Sequence, residues 1–200
     1  MSVKDSHTEK LIRDTAMRIF FKEGRFHATT QDIADAAGVN RTLVHYYFRS
    51  RDILFKQVFE EGRAAFFKEL DEMVQPEHSF RVKIEHLIDI WMEQGIEYPF
   101  LDTYLVSQLN NPSVLEELTE NRVGNADRKD AFYKEIKAEM KAGTIAKMEP
   151  MQFLLNLAAM VSYPIIMRPL LERALSIDAK EFNKIIAGRK EAILKTIFLK

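Results

Sequence analysis

The chain has no cysteine, one tryptophan, and only seven glycines and six prolines in 200 residues. The missing cysteine excludes disulfides, thiolate zinc sites, iron–sulfur clusters and thiol nucleophiles. The few glycines and prolines argue against collagen-like or linker-rich chains. Net charge is lacking too: 29 Lys and Arg face 30 Asp and Glu, so the balance is −1. That balance hides an asymmetry. Residues 1–51 carry nine basic and six acidic side chains, and the remainder is acidic by four. The basic end is the N-terminal quarter. No long apolar run exists. The longest uncharged stretch, Pro150–Met167, holds Gln152, Asn156, Ser162 and Pro164 in 18 residues. A spanning helix needs about 20 mostly apolar residues, so this stretch reads as a buried helix, and no membrane partner is expected. MSVKDSHTEK has no apolar core of a secretory signal, which makes a cytoplasmic location the expectation.

What is present is helical period almost everywhere. Leu11, Ile12, Ala16, Ile19 and Phe20 form one stripe, with Ser6 and Glu9 spaced as a capping box before it. Gly24 is placed to stop that helix. Thr29–Thr30 opens a short second helix, Gly38 turns the chain, and Asn40 caps a third helix over Arg41–Phe48. Ser50 caps a fourth that runs to about Met73. Gln75–Pro76–Glu77–His78 is the clearest linker. Beyond it the pattern predicts helices near 79–95, 98–110, 113–140, 149–176 and 178–199, with Pro164 and Pro169 kinking the penultimate one. No segment alternates with period 2. The fold class is all-α: an N-terminal three-helix helix-turn-helix domain followed by a second helical domain, about nine helices in all. The expected division is a head over 1–50, a connecting helix over 51–75, and a second helical domain over 76–200.

Function rests on the window Phe20–Leu54. Two helices of about seven residues are too short to be stable alone. Joined by a glycine turn, they make the helix-turn-helix pattern, whose second helix can enter a major groove about 12 Å wide. On 41–48, Val44 and Phe48 recur at i, i+4 and face inward. Arg41, Thr42, His45 and Tyr46 are left outward. That set is rich in donors and free of carboxylates that would repel DNA. Leu43 and Tyr47 are ambiguous by period.

Phe20, Gly24, Thr29–Thr30, Asp32–Ile33–Ala34, Ala37–Gly38–Val39, Tyr47–Phe48 and the Arg51–Leu54 stretch follow one another without gaps. This window resembles the N-terminal domain of the TetR family of bacterial transcriptional regulators over residues 8–55. The resemblance implies double-stranded operator DNA as partner. It places Thr30 and Gln31 at a phosphate grip, and Arg41, Thr42, His45, Tyr46 and Tyr47 on the recognition helix. Arg51 falls at a basic phosphate contact. His45, Thr42 and Leu43 depart from the residues usual there, which alters the reading surface and leaves the operator sequence open. The resemblance further implies a homodimer, repression relieved by a small, hydrophobic effector, and no cofactor or metal.

Candidate pocket residues are Trp91, Tyr98, Tyr104, Gln108, Phe132, Asn156, Met160 and Tyr163, large or polar side chains on the middle helices. Candidate interface residues are Ile166, Leu170, Ile186, Ile193 and Ile197 on the last two. Catalysis is not expected: the chain lacks a phosphate-cradling loop, a dinucleotide glycine fingerprint, HExxH and Glu-x-x-His. The rival reading is a helical protein-interaction scaffold with a non-functional reading head.

Overall fold

A computed structural model describes residues 3–73, 77–108, 110, 112 and 126–199. Among them are eleven α-helices: α1 (Val3–Met17), α2 (Thr30–Ala37), α3 (Arg41–Phe48), α4 (Arg51–Met73), α5 (Phe80–Glu97), α6 (Pro99–Gln108), α7 (Ala126–Ala142), α8 (Pro150–Ile166), α9 (Arg168–Ala174), α10 (Ala179–Ala187) and α11 (Arg189–Ile197). The all-α expectation holds. The count exceeds nine because two predicted helices are each broken. Pro164 and Pro169 flank a break at Met167, and the two halves are bent by 71°. Gly188 separates α10 from α11. The linker residues 74–76 and the start of the predicted 113–140 helix lie outside the described residues. No single described helix is long and apolar enough to cross a membrane.

The short helices of the head begin where local chemistry starts them. Thr29 and Asp32 form a capping box, each side chain receiving the other's backbone N–H. The Asn40 carboxamide oxygen accepts from Thr42 N–H at 2.8 Å, and Ser50 Oγ from Ile53 N–H at 3.2 Å. Gly38 ends α2 at φ 67°, a conformation that favours glycine. The Ser6 capping box does not form. α1 is already helical from Val3, so Ser6 lies inside it, and Glu9 turns instead to Arg13 at 3.7 Å. α1 continues as one π-helical turn, Arg18–Lys22. This wider turn lets the consecutive Ile19, Phe20 and Phe21 all face the core.

Two cores result. The head core joins Ile12, Ala16, Ile33, Ala34, Val44 and Phe48 to Leu54, Phe55, Val58 and Phe59 of α4 and Leu101 of α6. The body core holds Ile84, Ile88, Phe132, Ile136, Phe153, Leu157, Ile186, Ile193 and Ile197. Val44 and Phe48 each contribute roughly 2 kcal/mol by burial. This is what holds an eight-residue helix in place.

Gly24, at φ 71°, packs under α6: a Cβ there would lie 3.0 Å from the Phe100 ring. In α6 the half-buried Asp102 has no charged or hydrogen-bonded partner among the described residues, and burial raises its carboxyl above the usual range. The unfolded chain therefore ionises first. Any stabilising balance at this site is complete below pH ~4 and is lost as pH rises through the raised value. Asp102→Asn should melt higher than the parent at pH 7. The two should converge on acidification below pH ~4 in a thermal-melt series.

Candidate nucleic-acid interface

α3 stands on the head with Val44 and Phe48 inward and Arg41, Thr42, Leu43, His45 and Tyr46 exposed. Tyr46 is 63% exposed, against 38% for Leu43. Its ring meets that of Tyr47 edge-on at 5.0 Å, and Tyr47 is half-buried. Two flanks follow from helical spacing. Thr42 and His45 (i, i+3) form a polar one; Leu43, Tyr46 and Tyr47 form an apolar and phenolic one.

The arginines sort themselves by pairing. Six lie within residues 1–51. Arg13 binds Glu61 at 3.0 Å, Arg18 binds Glu23, and Arg25 reaches Glu23 at 3.7 Å and Asp32 at 3.4 Å. Arg51 binds Asp52 at 2.9 Å. Arg41 and Arg49 alone have no side-chain partner among the described residues, and they bracket α3. Eight residues at 1.5 Å each set their Cα atoms about 12 Å apart, roughly the width of the major groove.

Arg49 is not among the residues that the sequence pattern singles out. It caps the C-terminal end of α3 in a left-handed conformation, φ 62°. A non-glycine residue there costs on the order of 1 kcal/mol. The only signal for it is the Arg-Ser-Arg run after Phe48, and of its two arginines the sequence favours Arg51. The structure gives Arg51 a different setting. Its guanidinium lies 5.1 Å from the Phe20 ring centre and 4.7 Å from that of Phe55, and its Nε donates to the Ala28 carbonyl at 3.4 Å. These contacts tie α4 to the head core.

Thr30 needs a similar correction. It is only 8% exposed, which leaves the backbone N–H groups at the start of α2 as the donors available to a phosphate. Gln31 is exposed and donates to Asp35 at 2.7 Å. The acidic residues of α2 are engaged. Asp32 is held below the usual carboxylate range by the Thr29 hydroxyl first and the Thr29 backbone N–H second.

The eight candidate pocket residues sit in different settings. Tyr104 lies in the head's aromatic nest, and Tyr98 packs beside it. Phe132 is core, with Trp91 and Met160 against it. Gln108 bonds Ser107, Asn156 is exposed with its amide on the Met148 sulfur, and Tyr163 is 54% exposed. Of the five candidate interface residues, Ile186, Ile193 and Ile197 belong to the body core of their own chain. These three buried side chains pack within their own chain, while other residues of α10, Ile185 among them, stay exposed. Leu170 is exposed and Ile166 half-buried, joined by exposed Tyr163, Leu175 and Ile185.

Known proteins agree with this geometry. Residues 12–58 match the family described as bacterial regulatory proteins, tetR family. The HTH-type transcriptional regulator RutR of Escherichia coli K12 is 24% identical over 204 residues, covering 96% of this chain and 91% of that protein. Two solved structures share the fold. "Probable transcriptional regulatory protein RHA5900" superposes with a TM-score of 0.63 at 16% identity, over 94% of this chain and 97% of that one. A TetR family transcription regulator from Marinobacter aquaeolei VT8 gives 0.58 at 14% identity, over 99% of both chains. Residues 12–58 thus form a helix-turn-helix head of the tetR family, on a chain whose whole fold is shared with transcriptional regulators that carry the same head.

Proposed function

We propose that the protein is a homodimeric repressor that reads a palindromic operator through α3 and releases it on binding a small effector. The observation that carries the reading is the pair Arg41 and Arg49, without a side-chain partner among the described residues, at the two ends of an exposed helix that has no carboxylate. Arg41 and Arg49 grip phosphates on either side of the groove. Thr42, His45 and Tyr46 meet base edges. Tyr47, Gln31 and the N-terminal turn of α2 at Thr30 position the backbone. Arg51 holds α4 in place. The division into a head over 1–50, a connecting helix over 51–75 and a sensing domain over 76–200 fits this reading, with α4 and α6 lending residues to the head core. Two heads must sit about 34 Å apart to read successive turns of DNA. The exposed apolar face of Tyr163, Leu170, Leu175 and Ile185 supports pairing through α8, α9 and α10.

Selection of a duplex from a random pool, followed by anisotropy titrations at several salt concentrations, tests this. Arg41→Ala and Arg49→Ala should each weaken all duplexes alike and lower the salt slope by about one. His45→Ala should instead change which sequence is preferred, by about 10-fold or more at one position. A protein that enriches no sequence and shows no salt-dependent duplex binding is not this regulator.

A further inference from the structure

A cavity of about 330 Å³ opens between α1, α4 and the end of α5. Its apolar surface comes from Met17, Ile90 and the ring of Tyr98. Its charged rim holds four carboxylates, Asp14, Glu61, Glu93 and Glu97, against one guanidinium, Arg13. The first two carboxylates are matched: Asp14 by Lys10 at 2.5 Å, and Glu61 by Arg13 at 3.0 Å. Glu93 and Glu97 have no cation paired with them among the described residues. They stand one turn apart on α5, a spacing at which like charges cost a helix a few tenths of a kcal/mol. The Tyr98 phenol is kept protonated, by burial first and by the neighbouring Glu97 charge second, and it hydrogen-bonds Glu97. That bond neutralises nothing.

We propose that this cavity binds a small organic cation, an amine or amidine whose charge sits between Glu93 and Glu97 and whose carbon frame lies on Tyr98 and Met17. Three alternatives fit less well. No cluster of three or more ligating side chains among the described residues converges on a point that would hold a metal ion. The carboxylates are spread along the wall, as an extended organic ion needs. An anion would meet a net charge of −3 on the lining. A neutral apolar guest would strip water from two carboxylates and return no charge. The cation gains both carboxylates and the face of the Tyr98 ring. The volume lies at the small end of ligand sites, roughly 300–1,000 Å³. The site is distinct from the pocket expected on the middle helices, with which it shares only Tyr98. Its walls come from the head (α1), the connecting helix (α4) and the body (α5). A guest therefore touches all three, and its use as an effector rests on the proposed DNA-binding role.

The test uses the full chain and five probes: phenethylammonium, benzamidinium and putrescine, with phenylacetate and 2-phenylethanol as anionic and neutral controls. Calorimetric titration should show millimolar or tighter binding of at least one cation and none of the controls. Glu93→Gln/Glu97→Gln should weaken that binding by about 10-fold or more. Ala65→Phe, which fills the cavity and leaves its charge alone, should weaken it too. Either variant suffices if the other fails to fold. The proposal is overturned if no cation binds, if the controls bind equally, or if both variants bind as the parent does. Duplex binding is measured on the same preparation. DNA binding without cation binding overturns the site and leaves the regulator standing; cation binding without DNA binding does the reverse.

Discussion

Replacing Tyr104 by Ala should cost about 3 kcal/mol, read as a lowered urea midpoint, whereas Tyr104→Phe should be near neutral. The ring sits among Phe55, Phe59, Phe26 and Phe21, with centroids at 4.8, 5.2, 5.4 and 6.1 Å. It is half-buried, so the loss falls at the low end of the range for emptying an aromatic site. Phenylalanine keeps every ring contact. The hydroxyl has no hydrogen-bond partner among the described residues, so removing it leaves no group unpaired. The position matters more than the energy. Tyr104 is on α6, its neighbours are on the π turn, the loop before α2, and α4. Together with Phe100 against Gly24, it docks the reading head on the body. Tyr104→Ala should therefore also weaken duplex binding beyond what its stability loss explains, by freeing the head. Duplex affinity unchanged in a folded Tyr104→Ala protein would show that α6 does not orient the head.

Tyr104 also shows where a sequence stops being informative. An aromatic at helical spacing has the same pattern whether it lines a pocket or packs against another helix. Only the tertiary arrangement separates the two, and here it assigns Tyr104 to the head core. The same limit explains the last helices. The stripe of Ile186, Ile193 and Ile197 declares an apolar face but not whose core it meets. It meets α5 and α8 of its own chain, and the exposed residues are Leu170 and Ile185. The head was legible for the opposite reason. Its signals are local. Thr29, Asn40 and Ser50 bond backbone N–H groups two or three residues on, and such contacts can be read from spacing alone. Ser6 is the instructive exception. Its spacing to Glu9 is right, yet a capping box forms only where the chain enters the helix, and this chain is already helical at Val3. Arg49 and Arg51 show a finer limit. Two arginines two residues apart look alike in sequence. The rings of Phe20 and Phe55 capture the second, and the first stays exposed.

The pair Lys83–Glu135 should respond unequally to losing either member. Lys83 is 2% exposed, and its ammonium lies 2.6 Å from a Glu135 carboxylate that keeps partial contact with solvent. Glu135→Ala strands a charge inside the body core and should cost about 3 kcal/mol. Lys83→Met keeps the length of the side chain, removes the charge, and leaves Glu135 free to turn to water. It should cost less than about 1 kcal/mol, or stabilise. The double variant Lys83→Met/Glu135→Ala should recover most of what Glu135→Ala loses, because the stranded charge is gone. Denaturant melts of the four proteins form a closed cycle. Equal losses from both single changes would mean that the ion pair, rather than the burial of one charge, sets the energy. The pair links α5 to α7 across the body core, next to Phe80 and Phe132, whose rings lie 5.9 Å apart. A residue that contributes little to stability but must keep its partner fixes how two helices register. On this argument Lys83→Met should hold its fold while loosening the α5–α7 alignment. Faster amide exchange along Phe132–Met140 at unchanged global stability would reveal it.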